Sequence, residues 1–303
     1  MGIHDFGDGV RIVSQRDQHV NYDEALARLN QFPHLATVIN AKWLEHQMKK
    51  EVEQYSLITG WLTTSPDDWN WAFRKNTQAL ENALAFLRHR VPEPIWEKLS
   101  KKISAPSDRA ESKGTLAELS LAVFLVTHGI SFNMEFQLNP PTDVDFVVKF
   151  ADTEAVHIEM QSLAESVKSQ KISRSSADHG GFPVIPDFKS EERRVIGKIF
   201  DKTPKFIEQS ITLVALDCTA IPEHGNPAHG TIRDALQQVF GEDTRDLSGS
   251  EKMIRRLVDA VIWFQLDLDD ALKPIERGYF LNEHSLYRND QSLLHWISVW
   301  SAS

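Results

Sequence analysis

With one cysteine in 303 residues, Cys218, the chain has no internal disulfide framework and no cysteine cage for zinc; such usage suits a reducing cytoplasm. Nor does any apolar run reach the ~18 residues that a spanning helix needs, so a membrane partner is not expected. The opening stretch MGIHDFGDGVRIVSQRDQ is polar and acidic, unlike a secretory signal. Its Met-Gly start resembles a myristoylation pattern, but Phe6 stands where Ser or Thr is required. Positive charge is in deficit too: the net charge of −10 gives no global attraction to nucleic acid. Walker-type phosphate loops, the dinucleotide fingerprint G-x-G-x-x-G and the nucleophile elbow G-x-S-x-G are all missing. Nucleotide-hydrolysing, dinucleotide-dependent and elbow-serine chemistries therefore lack support.

What remains is an ordinary globular composition, 41% hydrophobic and 25% charged, in a chain long enough for two domains. Charge is uneven: residues 166–205 hold nine Lys or Arg against five Asp or Glu, giving a local basic segment suited to phosphate contacts or to a solvated helix face. The first hundred residues read as helical. NYDEALARLNQF, the long run HLATVINAKWLEHQMKKEVEQYSLI and DDWNWAFRKNTQALENALAFLRHRV repeat apolar residues every three or four positions, and VPEPIWEKLSKKI forms a fourth helix. Trp43, Trp61, Trp69, Trp71 and Trp96 fall within or beside these patterns and are expected in the core rather than as base-stacking platforms. The polar stretch SAPSDRAESKG marks a boundary, dividing the chain into a helical domain, 1–105, and a second domain, 106–303. In the second, a helix TLAELSLAVFLVTHG ends at Gly129 and three strands follow, ISFNMEFQL, DVDFVVKF and AVHIEMQ. A helix around 189–202, the strand ITLVALDC, a further helix and the strands DAVIWFQLDL and GYFLNEH complete a mixed α/β pattern.

The strand period of two sets Asp143 and Asp145 on one face of TDVDFVV. It likewise sets His157, Glu159 and Gln161 on one face of VHIEMQS. Two neighbouring strands could then offer Asp145 and Glu159 side by side, with the Met160 carbonyl as a third oxygen. Hard divalent cations take such oxygen ligands. On a phosphodiester they polarise the phosphoryl oxygens and lower the pKa of a bound water.

With the Glu118 helix before it, TDVDFVV…VHIEMQS resembles the PD-(D/E)XK phosphodiesterase superfamily over about 113–217, the core of the second domain. That resemblance implies a restriction-endonuclease-like mixed sheet flanked by helices, and a nuclease dependent on Mg²⁺ or Mn²⁺. Asp145, Glu159 and the Met160 carbonyl would ligate the metal, and Glu118 would support it. The partner would be nucleic acid, DNA ahead of RNA, and a homodimer is compatible with it. Gln161 departs from the pattern, because it stands where the family places a catalytic Lys. An amide can orient a water but brings no positive charge. A lysine recruited from elsewhere would supply it, with Lys168, Lys171, Lys198, Lys202 and Lys205 as candidates. The same departure admits a rival, a binding or assembly module that keeps the fold and has lost the chemistry.

Plainer roles stand beside these. Thr115-Leu-Ala-Glu118 fits a capping box at a helix start. Asp143 reads as a turn residue after Pro140-Pro141, and Pro186-Asp187 as a helix-start turn. His224 and His229 form a weak zinc pair. His157 reads as a surface histidine, Cys218 as a core residue.

Overall fold

The computed structural model describes residues 20–105, 109–139, 142–150, 154–163, 188–206, 208–219, 227–241, 247–268 and 270–302. Lys168, Lys171, Pro140-Pro141, Pro186-Asp187 and His224 lie outside them, as does the His229 side chain. Among the described residues, helices α1 (Tyr22–Leu29), α2 (Pro33–Val38), α3 (Ala41–Met48) and α4 (Leu57–Thr63) come first. The apolar run 34–58 is thus not one helix. Asn40 and Ser56 interrupt it, because each side chain accepts a hydrogen bond from a backbone N–H three residues on and starts a new helix. Ser65 caps a short helical turn, Pro66–Asp68, in the same way. A π turn, Trp69–Phe73, leads into α5 (Arg74–Arg88), and α6 is Glu93–Ser104. The turn sends Trp69 inward and leaves Trp71 68% exposed, so Trp71 is not the core anchor expected; Trp61, Trp69 and Trp96 are buried and Trp43 partly so.

Helix α7 (Arg109–Thr127) starts earlier than expected, which puts Thr115 and Glu118 in its interior. Thr115 Oγ1 donates to the Glu111 carbonyl, so there is no capping box there. The helix closes as expected at Gly129, whose φ of +67° lets Ile130 N–H return to the Leu125 carbonyl. Strands β1 (Phe132–Asn139), β2 (Thr142–Val148) and β3 (Val156–Ser162) form an antiparallel meander. Asp143 lies within β2, opposite Gln137, and is a strand residue rather than a turn residue. Helix α8 (Phe188–Phe200) crosses to β4 (Ile211–Asp217), parallel to β3. Helices α9 (Pro227–Phe240) and α10 (Gly249–Leu257) lead to β5 (Ala260–Leu266), parallel to β4, and β6 (Pro274–Leu281) returns antiparallel. The chain ends in α11 (Gln291–Ala302), a helix not anticipated.

The six strands lie in the order β1-β2-β3-β4-β5-β6, with helices on both faces: a mixed α/β architecture. Phe146, Ile158, Met160, Leu213, Ile262 and Phe264 pack in one apolar cluster with Leu119 and Val123 of α7 and with Trp296 and Trp300 of α11. Residues of α1 to α6, among them Leu29, Leu84 and Leu99, belong to the same cluster. The second cluster joins Val214, Leu216, Val261 and Trp263 to Val195 and Ile199 of α8, Leu236 of α9 and Ile254 of α10. Both outer strands carry an acid at positive φ, Glu135 (49°) in β1 and Glu276 (45°) in β6. Charged kinks of this kind discourage edge-to-edge pairing. Gly278 is set against the Trp263 indole, where a Cβ would come within 2.2 Å. Gly278→Ala should therefore destabilise the fold by about 3 kcal/mol in urea denaturation; wild-type stability would mean that the indole has room to shift.

Candidate functional site

The pairing of β2 with β3 runs from Val148↔Val156 only to Phe146↔Ile158. Past that point the strands part, and backbone N–H groups that would join them need other acceptors. Carboxylates supply these. Asp145 N donates to Glu159 Oε1 at 3.2 Å, and Met160 N donates to Asp145 Oδ2 at 2.8 Å. The two acids thus hold the fork open from within, each tied to the opposite strand. N–H and C=O of one strand residue point to the same side, so the Met160 carbonyl faces the same gap.

Glu159 is fully buried. Burial pushes its pKa up and the Asp145 charge adds to this, while Lys202 and Lys205 oppose both. Lys202 Nζ lies 3.0 Å from Glu159 Oε2 and 3.7 Å from Asp145 Oδ2. Lys205 Nζ donates to both Glu159 oxygens, at 3.0 and 2.9 Å. For Lys202, burial disfavours the charge, but Asp145, Glu159 and Glu118 outweigh it and raise the pKa. Both lysines come from the end of α8 and the 3₁₀ turn Thr203–Lys205. Of the candidate lysines among the described residues, these two meet the acids.

Glu118 faces the same region from α7 but is held separately. Lys102 of α6 donates to its Oε2 at 2.5 Å and lies 3.5 Å from Glu135. Among the described residues, no three His, Cys, Asp or Glu side chains form a group ready to hold a metal ion. Asp145 and Glu159 meet; Glu118 stands on its own lysine.

Comparison with protein-family models, with curated proteins and with solved structures yields no match.

Gln161 donates through Nε2 to the Ser162 carbonyl at 3.2 Å. Ser162 Oγ in turn donates to Asp217, a fully buried acid that also accepts from Thr219 N–H. Burial raises the Asp217 pKa against these hydrogen bonds and the Lys113 charge. This polar end of β3 and β4 was not foreseen; an Asp closing the apolar strand ITLVALD was its only signal. His157 is buried, not a surface residue: burial lowers its pKa against a backbone hydrogen bond to Ile211, and its Nδ1 has no hydrogen-bond partner among the described residues. Asp143 Oδ1 is likewise buried and unpartnered among them. Cys218 is a buried core thiol whose pKa burial pushes well up.

Burial and the Asp145 charge push Glu118 up to about 7, against Lys102 and Lys202. The folded state therefore binds this proton more tightly than the unfolded chain, where the ordinary value is 4.5. Its stabilising contribution is complete below that ordinary value and is lost as pH rises through about 7. Glu118→Gln keeps a neutral group at every pH. Between about pH 5 and 8 its stability relative to wild type should rise by up to ~3 kcal/mol. Denaturation curves across that range check this; a constant difference would show that Glu118 does not titrate there.

Proposed function

We propose that the chain is a metal-dependent nuclease of the PD-(D/E)XK kind, acting on DNA in preference to RNA. The observation that carries this reading is the convergence of the Asp145 and Glu159 carboxylates on one cationic group, the Lys202 ammonium, where β2 and β3 separate. Three features support it. An ammonium already stands where a cation is wanted. The donor set, two carboxylates and the Met160 carbonyl, is all oxygen, as Mg²⁺ or Mn²⁺ prefers. The order helix, three-strand meander, crossover helix and parallel strand agrees with the restriction-endonuclease-like core.

A bound Mg²⁺ or Mn²⁺ would supply Lewis-acid polarisation of the phosphoryl group and lower the pKa of water. The protein's own part is positioning and charge. Asp145, Glu159 and the Met160 carbonyl would hold the ion. Glu118, at about 7, can hold or release a proton at neutral pH. Lys205 brings the positive charge that Gln161 lacks, while Gln161 is left to orient a water. The N-terminal helices are assigned to recognition of substrate or partner.

Two observations favour a second reading, a non-catalytic module: the Gln161 amide is turned onto Ser162, and three lysines already neutralise the acids. Incubation with plasmid DNA, single-stranded DNA and RNA, in Mg²⁺ and in EDTA, separates the two. Cleavage in Mg²⁺ alone, lost in Asp145→Asn, is expected. Intact polymers in every arm would favour the module.

A further inference from the structure

We infer that Lys202 is a tethered stand-in for the divalent cation, a built-in competitor that must leave the carboxylates before a metal can bind; this rests on the metal-dependent reading above. Lys202 Nζ touches both acids, at 3.0 Å from Glu159 Oε2 and 3.7 Å from Asp145 Oδ2. A metal ion ligated by the same two oxygens, at roughly 2.0–2.6 Å from each, would share the space of the ammonium and repel its charge. Lys205 differs, because among the described residues it pairs with Glu159 and not with Asp145.

The exchange is confined to a side chain, because the turn that carries it is pinned. Lys202 N–H donates to the Ile199 carbonyl, Lys205 N–H to the Lys202 carbonyl and Phe206 N–H to the Thr203 carbonyl. Thr203 is fully buried, its Oγ1 donating to the Phe200 carbonyl at 2.8 Å, and Phe206 is buried beside it. The Lys202 side chain is 17% exposed, which leaves its flexible stem a way out to solvent.

The stand-in solves a problem set by burial. Glu159 is fully buried, and a buried carboxylate with no countercharge is strongly destabilising. Lys202 gives both acids a cationic partner in the metal-free protein, and it lowers metal affinity, because each binding event must break its two ion pairs. The site then responds to cation concentration instead of holding an ion permanently.

Two measurements on the full chain test this. In calorimetry with Mn²⁺, Lys202→Gln should bind about tenfold more tightly than wild type, since the competing state is removed, and Lys205→Gln should show no such gain. In the wild type, acetylation of Lys202 followed by mass spectrometry should rise severalfold when Mn²⁺ is added, a readout independent of whether the variant folds. Equal or weaker binding by Lys202→Gln, or unchanged acetylation while Mn²⁺ binds, would overturn the stand-in and leave the metal site standing. Absence of Mn²⁺ binding by all three proteins at millimolar metal would overturn the metal-dependent reading, and the stand-in with it.

Discussion

Asp145→Asn should cut Mg²⁺-dependent cleavage by about 1,000-fold or more, the several kcal/mol expected when a metal loses a charged ligand. The change is isosteric. An Asn carbonyl oxygen can still accept the Met160 N–H that Asp145 Oδ2 now takes, so the fork between β2 and β3 stays pinned. Glu159, the more obvious target, is the poorer probe. Its carboxylate holds Lys202 and Lys205, and Glu159→Ala would leave both ammoniums without that partner in a largely buried setting. Removing one member of a buried ion pair costs on the order of 3–5 kcal/mol, so lost cleavage there would mix unfolding with lost chemistry. Asp145→Asn separates the two if its melting temperature stays within a few degrees of wild type. Removing the Asp145 charge should also lower the pKa values of Glu118 and Glu159, both of which it raises. Cleavage by the pure, folded variant within tenfold of wild type would end the metal-site assignment.

The parts of this molecule legible in the sequence are those set by local pattern. Period-two alternation placed Asp145 and Glu159 on facing strands, and Gly129 marked a helix end through its left-handed backbone. Local signals also misled. Periodicity predicts a helix across 34–58, whereas the Asn40 and Ser56 side chains cap new helices inside that run. It missed α11, where Trp296 and Trp300, one turn apart, were the clue to a helix within an apolar run. Glu118 appeared to cap a helix because α7 starts in polar sequence that reads as a loop. The lysines were beyond local reasoning. Lys202 and Lys205 follow Glu159 by 43 and 46 positions, and only the packing of α8 across the sheet selects them. Lys102 meets Glu118 through the packing of α6 on α7, a contact between helices on either side of the proposed domain boundary.

Lys205→Gln should lower the rate of cleavage by about 100-fold while leaving Mn²⁺ affinity close to wild type, an effect in the range of one lost transition-state charge contact. In the proposed reaction a side chain must meet negative charge as it develops on the phosphoryl oxygens. Gln161 has the expected place on β3, but it carries no charge and its amide is engaged with the Ser162 carbonyl. Lys205 has an unexpected place on a 3₁₀ turn, but its ammonium rests on the carboxylate next to the cation position and remains partly exposed. A group that acts only in the transition state lowers kcat and kcat/KM together and spares KM. Gln161→Ala should therefore cost less than tenfold in kcat, and Lys205→Gln should lower kcat without raising KM. Lys205→Arg should recover part of the rate, because it restores the charge with different reach and geometry. A larger loss from Gln161→Ala than from Lys205→Gln would return the role to β3. In that case the amide must leave Ser162 during turnover, and Lys205 serves only to neutralise Glu159.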